Sequence, residues 1–139
     1  MSNLYNKNQI INLLSSKSSI DILEKFNITT FSIFGSLTND EFNETSDIDI
    51  AIIGDYPLPL DEILDLELFF ESLLNREIDI FDLRNESLDF LFKINIFNTC
   101  KVLYSTDNNK NFNISYNETE RIYNENKDFM HFRRVDVLS

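Results

Sequence analysis

The segment Asp47–Ile53 (DIDIAII) constrains the fold more than any other stretch of this chain. Aspartate and isoleucine alternate over its first half, and in a strand that alternation sends successive side chains to opposite faces. Its second half is apolar at every position, the pattern of a strand with neighbours on both sides. It reads as a central strand, and the remaining elements must cover it.

Only two Gly and two Pro punctuate the chain, so element boundaries have to be taken from periodicity and from clusters of Asn, Asp and Ser. Asn is abundant throughout, which weakens its value as a turn signal. Residues 7–14 (KNQIINLL) and 19–26 (SIDILEKF) carry apolar positions at helical spacing, the second opening on a serine suited to an N-cap. Residues 29–34 (TTFSIF) are β-branched or aromatic and run into Gly35-Ser36, which predicts a strand ending in a sharp turn. Beyond Pro57 and Pro59, residues 61–74 read as a helix with acids in its first turn. A strand over 77–83, a helix over 87–97 and a short strand over 101–104 follow. Residues 107–113 read as a polar linker and 116–134 as a terminal helix. With 139 residues the chain suits one domain, placed at 1–106, with 107–139 as linker and C-terminal helix able to serve as a partner-binding extension.

The chemistry concentrates in three acids. Asp47 and Asp49 point to the same face of their strand while Ile48 and Ile50 point into the core. Asp79, between Ile78 and Ile80, repeats the device and joins the pair if the two strands are neighbours. Two like charges at 4 Å repel by about 1 kcal/mol in water and roughly 4 near a protein surface, so such a cluster calls for a cation. Hard oxygen donors suit Mg²⁺, commonly held by one or two carboxylates together with substrate phosphates. Gly35-Ser36 lies ten residues ahead of Asp47. A glycine there lets backbone approach a ligand closely, and the serine offers N–H and hydroxyl donors to a phosphate. The plain alternative is that D-x-D arises by chance in an acidic chain and its carboxylates are merely solvated.

Taken together, Gly35-Ser36, the serine at 46, Asp47-Ile48-Asp49 and Ile78-Asp79-Ile80 resemble the minimal nucleotidyltransferases of the DNA polymerase β superfamily, over residues 7–104. The resemblance implies an α+β fold, a small mixed sheet flanked by helices with a C-terminal helix. It implies that Asp47, Asp49 and Asp79 are catalytic and bind two Mg²⁺ ions, Mn²⁺ being an alternative, with Asp79 also placed as a base. Gly35, Ser36 and Ser46 would bind the nucleotide. Family members of this size commonly act as antitoxins beside a HEPN-domain ribonuclease in type VII-like toxin–antitoxin pairs, which implies transfer of AMP from ATP to a tyrosine of that toxin. The chain departs from the family pattern just after Gly35-Ser36, where Leu37-Thr38-Asn39 stand in place of an Arg or further Gly. An antitoxin that acts by binding alone, and nucleotidylation of a small molecule, are the alternatives.

Composition agrees with a protein partner. Twelve basic against twenty-four acidic residues give a formal charge of −12, which disfavours direct nucleic-acid binding and suits a basic protein surface. The single Cys100, the absence of an apolar leader core in MSNLYNKNQI and the lack of any bilayer-length apolar run predict a soluble cytoplasmic protein without membrane contact. Three weaker signals remain. Asp107, Asn109, Asn111, Ser115 and Glu118 fall on calcium-loop positions, but Phe112 occupies the place that needs Gly. His131 has no second ligand beside it. Tyr116, Tyr123, Phe129 and Met130, with Arg133 and Arg134, read as packing residues or as part of a partner surface.

Overall fold

The computed structural model describes residues 5–138, with side chains described as far as residue 128. Four strands, β1 (Ile28–Phe34), β2 (Ile48–Gly54), β3 (Ile78–Asp82) and β4 (Lys101–Ser105), form one sheet in the order β3-β2-β1-β4. β1 pairs antiparallel with β2 and β4, whereas β2 and β3 are parallel. The sheet is mixed because the parallel pair needs a crossover, and α3 (Leu60–Leu74) supplies it. The central placement of β2 expected from its apolar run is what the structure shows.

Alternation along β2 divides two cores. Ile48, Ile50 and Ile52 join Ile78 and Ile80 of β3 beneath α1 (Lys7–Leu14), α2 (Lys17–Lys25) and α3, in a core that also holds Phe31 and Phe70. Those two rings stack with centroids 5.4 Å apart. Ala51 and Ile53 face the other way, into a smaller core with Phe34, Leu83, Ile96 and Phe97 under α4 (Phe90–Thr99) and α5 (Lys110–Leu138). The far face of β2 is thus covered along most of its length, and Asp49 stands at the rim of this second core.

Several boundaries differ from the sequence reading. α2 begins at Lys17, with Ser16 in the N-cap position, and Ser19 is fully buried inside the helix. α5 begins at Lys110, so residues 106–109 form the connection and the rest of the expected linker is helix. Asp107 makes the early start: its carboxylate accepts the N–H of Lys110 at 3.2 Å and of Asn111 at 3.0 Å, and the Ser105 hydroxyl lies 3.1 Å away. The calcium-loop pattern is therefore a helix start and helix, not a loop. Tyr116 packs against Phe97 and hydrogen-bonds Asn98 at 2.8 Å, so it is a packing residue. Burial at the α4–β4 junction pushes the Cys100 thiol up, as fits a small packing residue. The side chains of Phe129, Met130, His131, Arg133 and Arg134 lie outside the described residues. No helix among the described residues is long and apolar enough to cross a membrane.

Asparagine takes over the work of missing glycines. Among the described residues, the four non-glycine residues with positive φ are all Asn: Asn27, Asn75, Asn108 and Asn109. Asn75 closes α3 in the left-handed region, a C-terminal role that usually falls to glycine. Its short amide tolerates that conformation, which is how a chain with two glycines makes so many tight turns.

Candidate active site

The pairing of β2 with β3 sets Asp49 directly opposite Asp79, with Ile48 opposite Ile78 and Ile50 opposite Ile80. In-register parallel pairing keeps both isoleucine pairs in the core and both aspartates on the opposite face. The β1–β2 register places Phe34 opposite Asp49, so the residue that follows Phe34 emerges beside the same carboxylate. That residue is Gly35, at φ +72°, where an added Cβ would lie 2.5 Å from Asp49 Oδ2. Both its conformation and its contact demand the absence of a side chain.

Gly35 opens a short 3-10 turn through Thr38, held by a hydrogen bond from the Thr38 hydroxyl to the Gly35 carbonyl at 2.7 Å and by Leu37, buried in the main core. Ser36, at the bend, is half-buried. Asp47 is exposed just ahead of β2, Asp79 is exposed on the edge strand β3, and Asp49 between them is half-buried. Burial of its carboxyl, reinforced by the charges of Asp79 and then Asp47, raises Asp49 above its ordinary value of 3.8. The three acids are close enough to feel one another.

They do not form the ready-made cage that the sequence suggests. Among the described residues, no three Asp, Glu, His or Cys side chains are grouped so as to hold a metal ion. The donor set nonetheless fits a hard divalent cation: three carboxylates, one of them, Asp49, raised by burial and then by the charge of the other two. The only ion pair among the described residues is Arg121–Glu125, remote in sequence. Ser46 has a different local task in this structure, its hydroxyl accepting the Asn43 N–H at 3.1 Å within the turn that leads to Asp47.

Arg76 escaped the sequence reading. It sits between α3 and β3, and its guanidinium NH1 donates to the Ser46 carbonyl at 2.8 Å and to the Asn43 carbonyl at 3.1 Å. The same group lies over the Phe42 ring, 4.6 Å from its centroid. Arg76 thereby ties the loop that carries Ser46 and Asp47 to the start of β3, while the Ile48 N–H donates to Glu77 O at 3.1 Å. A signal was available, since Arg76 is the only Lys or Arg between Lys25 and Arg84. Lys7 adds a second tether, donating to the Asn39 carbonyl at 3.0 Å.

Known proteins resemble this chain in sequence and in fold. In Methanocaldococcus jannaschii, "Putative protein adenylyltransferase MJ0126" is 36% identical over 64 residues, 46% of this chain and 65% of the relative. "Putative protein adenylyltransferase MJ1217" from the same organism is 39% identical over 57 residues, 41% of this chain and 58% of the relative. The chain thus spans less than two thirds of the length of either. A crystal structure of a toxin–antitoxin with AMP-PNP superposes with a TM-score of 0.75 at 24% identity, covering 97% of this chain and 100% of the other. A tri-AMPylated HEPN toxin of Shewanella oneidensis in complex with its MNT antitoxin gives a TM-score of 0.72 at 20% identity, covering 96% and 100%. At such identities these two establish the shared fold. The family model described as polymerase beta, nucleotidyltransferase matches residues 8–109, which include the glycine-serine turn and all three aspartates. With that span matched and β1, β2 and β3 converging on one carboxylate face, the chain belongs to the polymerase beta nucleotidyltransferase family.

Proposed function

We propose that this chain is a metal-dependent protein adenylyltransferase that serves as the antitoxin of a HEPN-domain toxin, moving AMP from ATP to a tyrosine of that toxin in the cytoplasm. The observation that carries the reading is the approach of the Gly35 turn to Asp49, with Asp79 directly alongside. A phosphate cradle without acids, or acids without a cradle, would not support it. The relatives named protein adenylyltransferases and the similarly folded antitoxin bound to an AMPylated HEPN toxin give the reaction and the partner their chemical class.

Asp47, Asp49 and Asp79 would hold two Mg²⁺ ions, with Mn²⁺ as a substitute. When bound, these would neutralise charge on the triphosphate and on the attacking and leaving oxygens. Gly35 and Ser36 hold the phosphates at the bend, and Ser46 borders the nucleotide through the turn before Asp47. Asp79 accepts the proton of the attacking tyrosyl hydroxyl. The new bond joins the tyrosyl oxygen to the α-phosphorus, the bond to the β-phosphate breaks, and pyrophosphate leaves. An excess of twelve negative charges favours a basic protein over RNA as the partner.

Purified chain, radiolabelled ATP, Mg²⁺ and the HEPN protein of its own operon provide the test. Asp47→Asn combined with Asp49→Asn should abolish labelling while leaving the fold and the complex intact; undiminished labelling by that variant rejects the assignment. A second reading, an antitoxin acting by contact alone, draws on the absence of a cation directly after Ser36, where Leu37-Thr38-Asn39 follow. Protection of cells by the double variant, equal to that by the native chain, would select it.

A further inference from the structure

Helix α3 has two apolar faces and only one of them is used. Leu66, Phe70 and Leu74 are fully buried against the sheet, but Leu60, Leu64 and Leu68 are exposed to 72%, 49% and 63%. Spacing by four residues aligns these three leucines in a ridge about 12 Å long at 1.5 Å per residue. They are half of the six large hydrophobic residues exposed among the described residues, so the exposure is concentrated on one helix.

Charge says what such a ridge accepts. Asp61 and Asp65 border it on one side, Glu67 and Glu71 on the other, and α3 contains no Lys or Arg. A second copy of this chain would bring the same carboxylates face to face. An amphipathic helix with an apolar stripe between Lys and Arg residues matches both the leucines and their acidic borders. Position adds a purpose. Leu60, Ile63 and Glu67 line a groove of about 300 Å³ together with Ile80 and Phe81 of β3, the free edge strand, whose Asp79 alternates to the opposite face of the sheet from α3.

We infer that the Leu60–Leu64–Leu68 ridge docks a basic amphipathic helix of the protein substrate and so brings its acceptor hydroxyl to the β3 edge. This rests on the proposed transfer to a protein. The test measures affinity for the purified HEPN protein, the melting-temperature gain from Mn²⁺ and ATP, and labelling of the HEPN protein from ATP. Leu64→Glu with Leu68→Glu should weaken binding at least tenfold and leave the nucleotide-dependent melting gain unchanged. Asp61→Lys with Asp65→Lys should weaken binding and flatten its salt dependence. Unchanged affinity of the leucine variant overturns the ridge alone. If the native chain binds no HEPN protein, the partner assignment and the ridge both fall. Tight binding that the leucine variant loses, without any transfer of label, keeps the ridge and removes the adenylyltransferase reading. Self-association of the native chain in sedimentation velocity, abolished by the leucine variant, assigns the ridge to a second copy and overturns the proposal.

Discussion

The two faces of the sheet come from the same strands by the same alternation, yet they serve opposite ends. Toward α1, α2 and α3, β2 and β3 present five isoleucines, each at most 7% exposed, with the buried Asp82 opposite Ile52 at the end of the row. On the opposite face the same two strands present Asp49 beside Asp79, and only further along do Ala51 and Ile53 join the smaller core. One face is filled and stabilising, while the other stops short at one end and leaves acids where a ligand can reach them. The lesson is that a rigid packed layer behind a strand lets the strand hold unfavourable charge in front.

That contrast can be broken at four points. Phe70→Ala removes a fully buried ring stacked on Phe31, and should cost roughly 3–5 kcal/mol in urea unfolding. A loss under about 1 kcal/mol would mean that the packed face is not what supports the strands. Gly35→Ala forces a Cβ toward the Asp49 carboxylate at positive φ, and should cost on the order of 1–3 kcal/mol. Its larger signature is on function: the melting gain from Mg²⁺ and ATP should vanish, and retention of that gain would detach the turn from the site.

Arg76→Ala releases the loop carrying Asp47 by removing the donor to two carbonyls, and should cost about 1–2 kcal/mol by thermal melting. Half-saturation by Mn²⁺ should move to higher concentration, with partial recovery in Arg76→Lys. Asp49→Asn is the smallest effect and has the opposite sign. Because the native state raises the Asp49 pKa above 3.8, it holds the proton more tightly than the unfolded chain. Its charge therefore destabilises the metal-free protein near neutrality. That cost is relieved as the pH falls through the raised value, and the relief is complete below about 3.8. Asp49→Asn should stabilise the metal-free protein at pH 7 by roughly 1 kcal/mol or less, given solvent screening, and flatten its pH dependence in that window. A lower melting temperature for this variant would remove the like-charge cluster from the account.

Local pattern was enough for the strands and for the acids. Period-two alternation in DIDIAII and EIDIFDL can satisfy one apolar face in only one way, so the strand faces taken by Asp49 and Asp79 were legible in the sequence, whereas Asp47 lies just ahead of β2. Boundaries were less legible where Asn, Ser and Asp compete for turn and cap: Ser16 replaces a serine three residues later, and Asp107 starts α5 inside the expected linker. The role of Arg76 depends on contacts with residues 30 and 33 positions earlier, beyond the reach of any local window.

Side-chain chemistry and spacing alone thus settle which residues of the strands face away from the main core, because backbone geometry within a strand leaves no freedom there. Long-range packing settles how closely they stand: strand register brings Asp79 opposite Asp49, and the end of β1 delivers Gly35 against the same carboxylate. The unused leucine face of α3 emerges in the same way, because a leucine repeat shows itself as surface only after the fold has filled the other side of the helix.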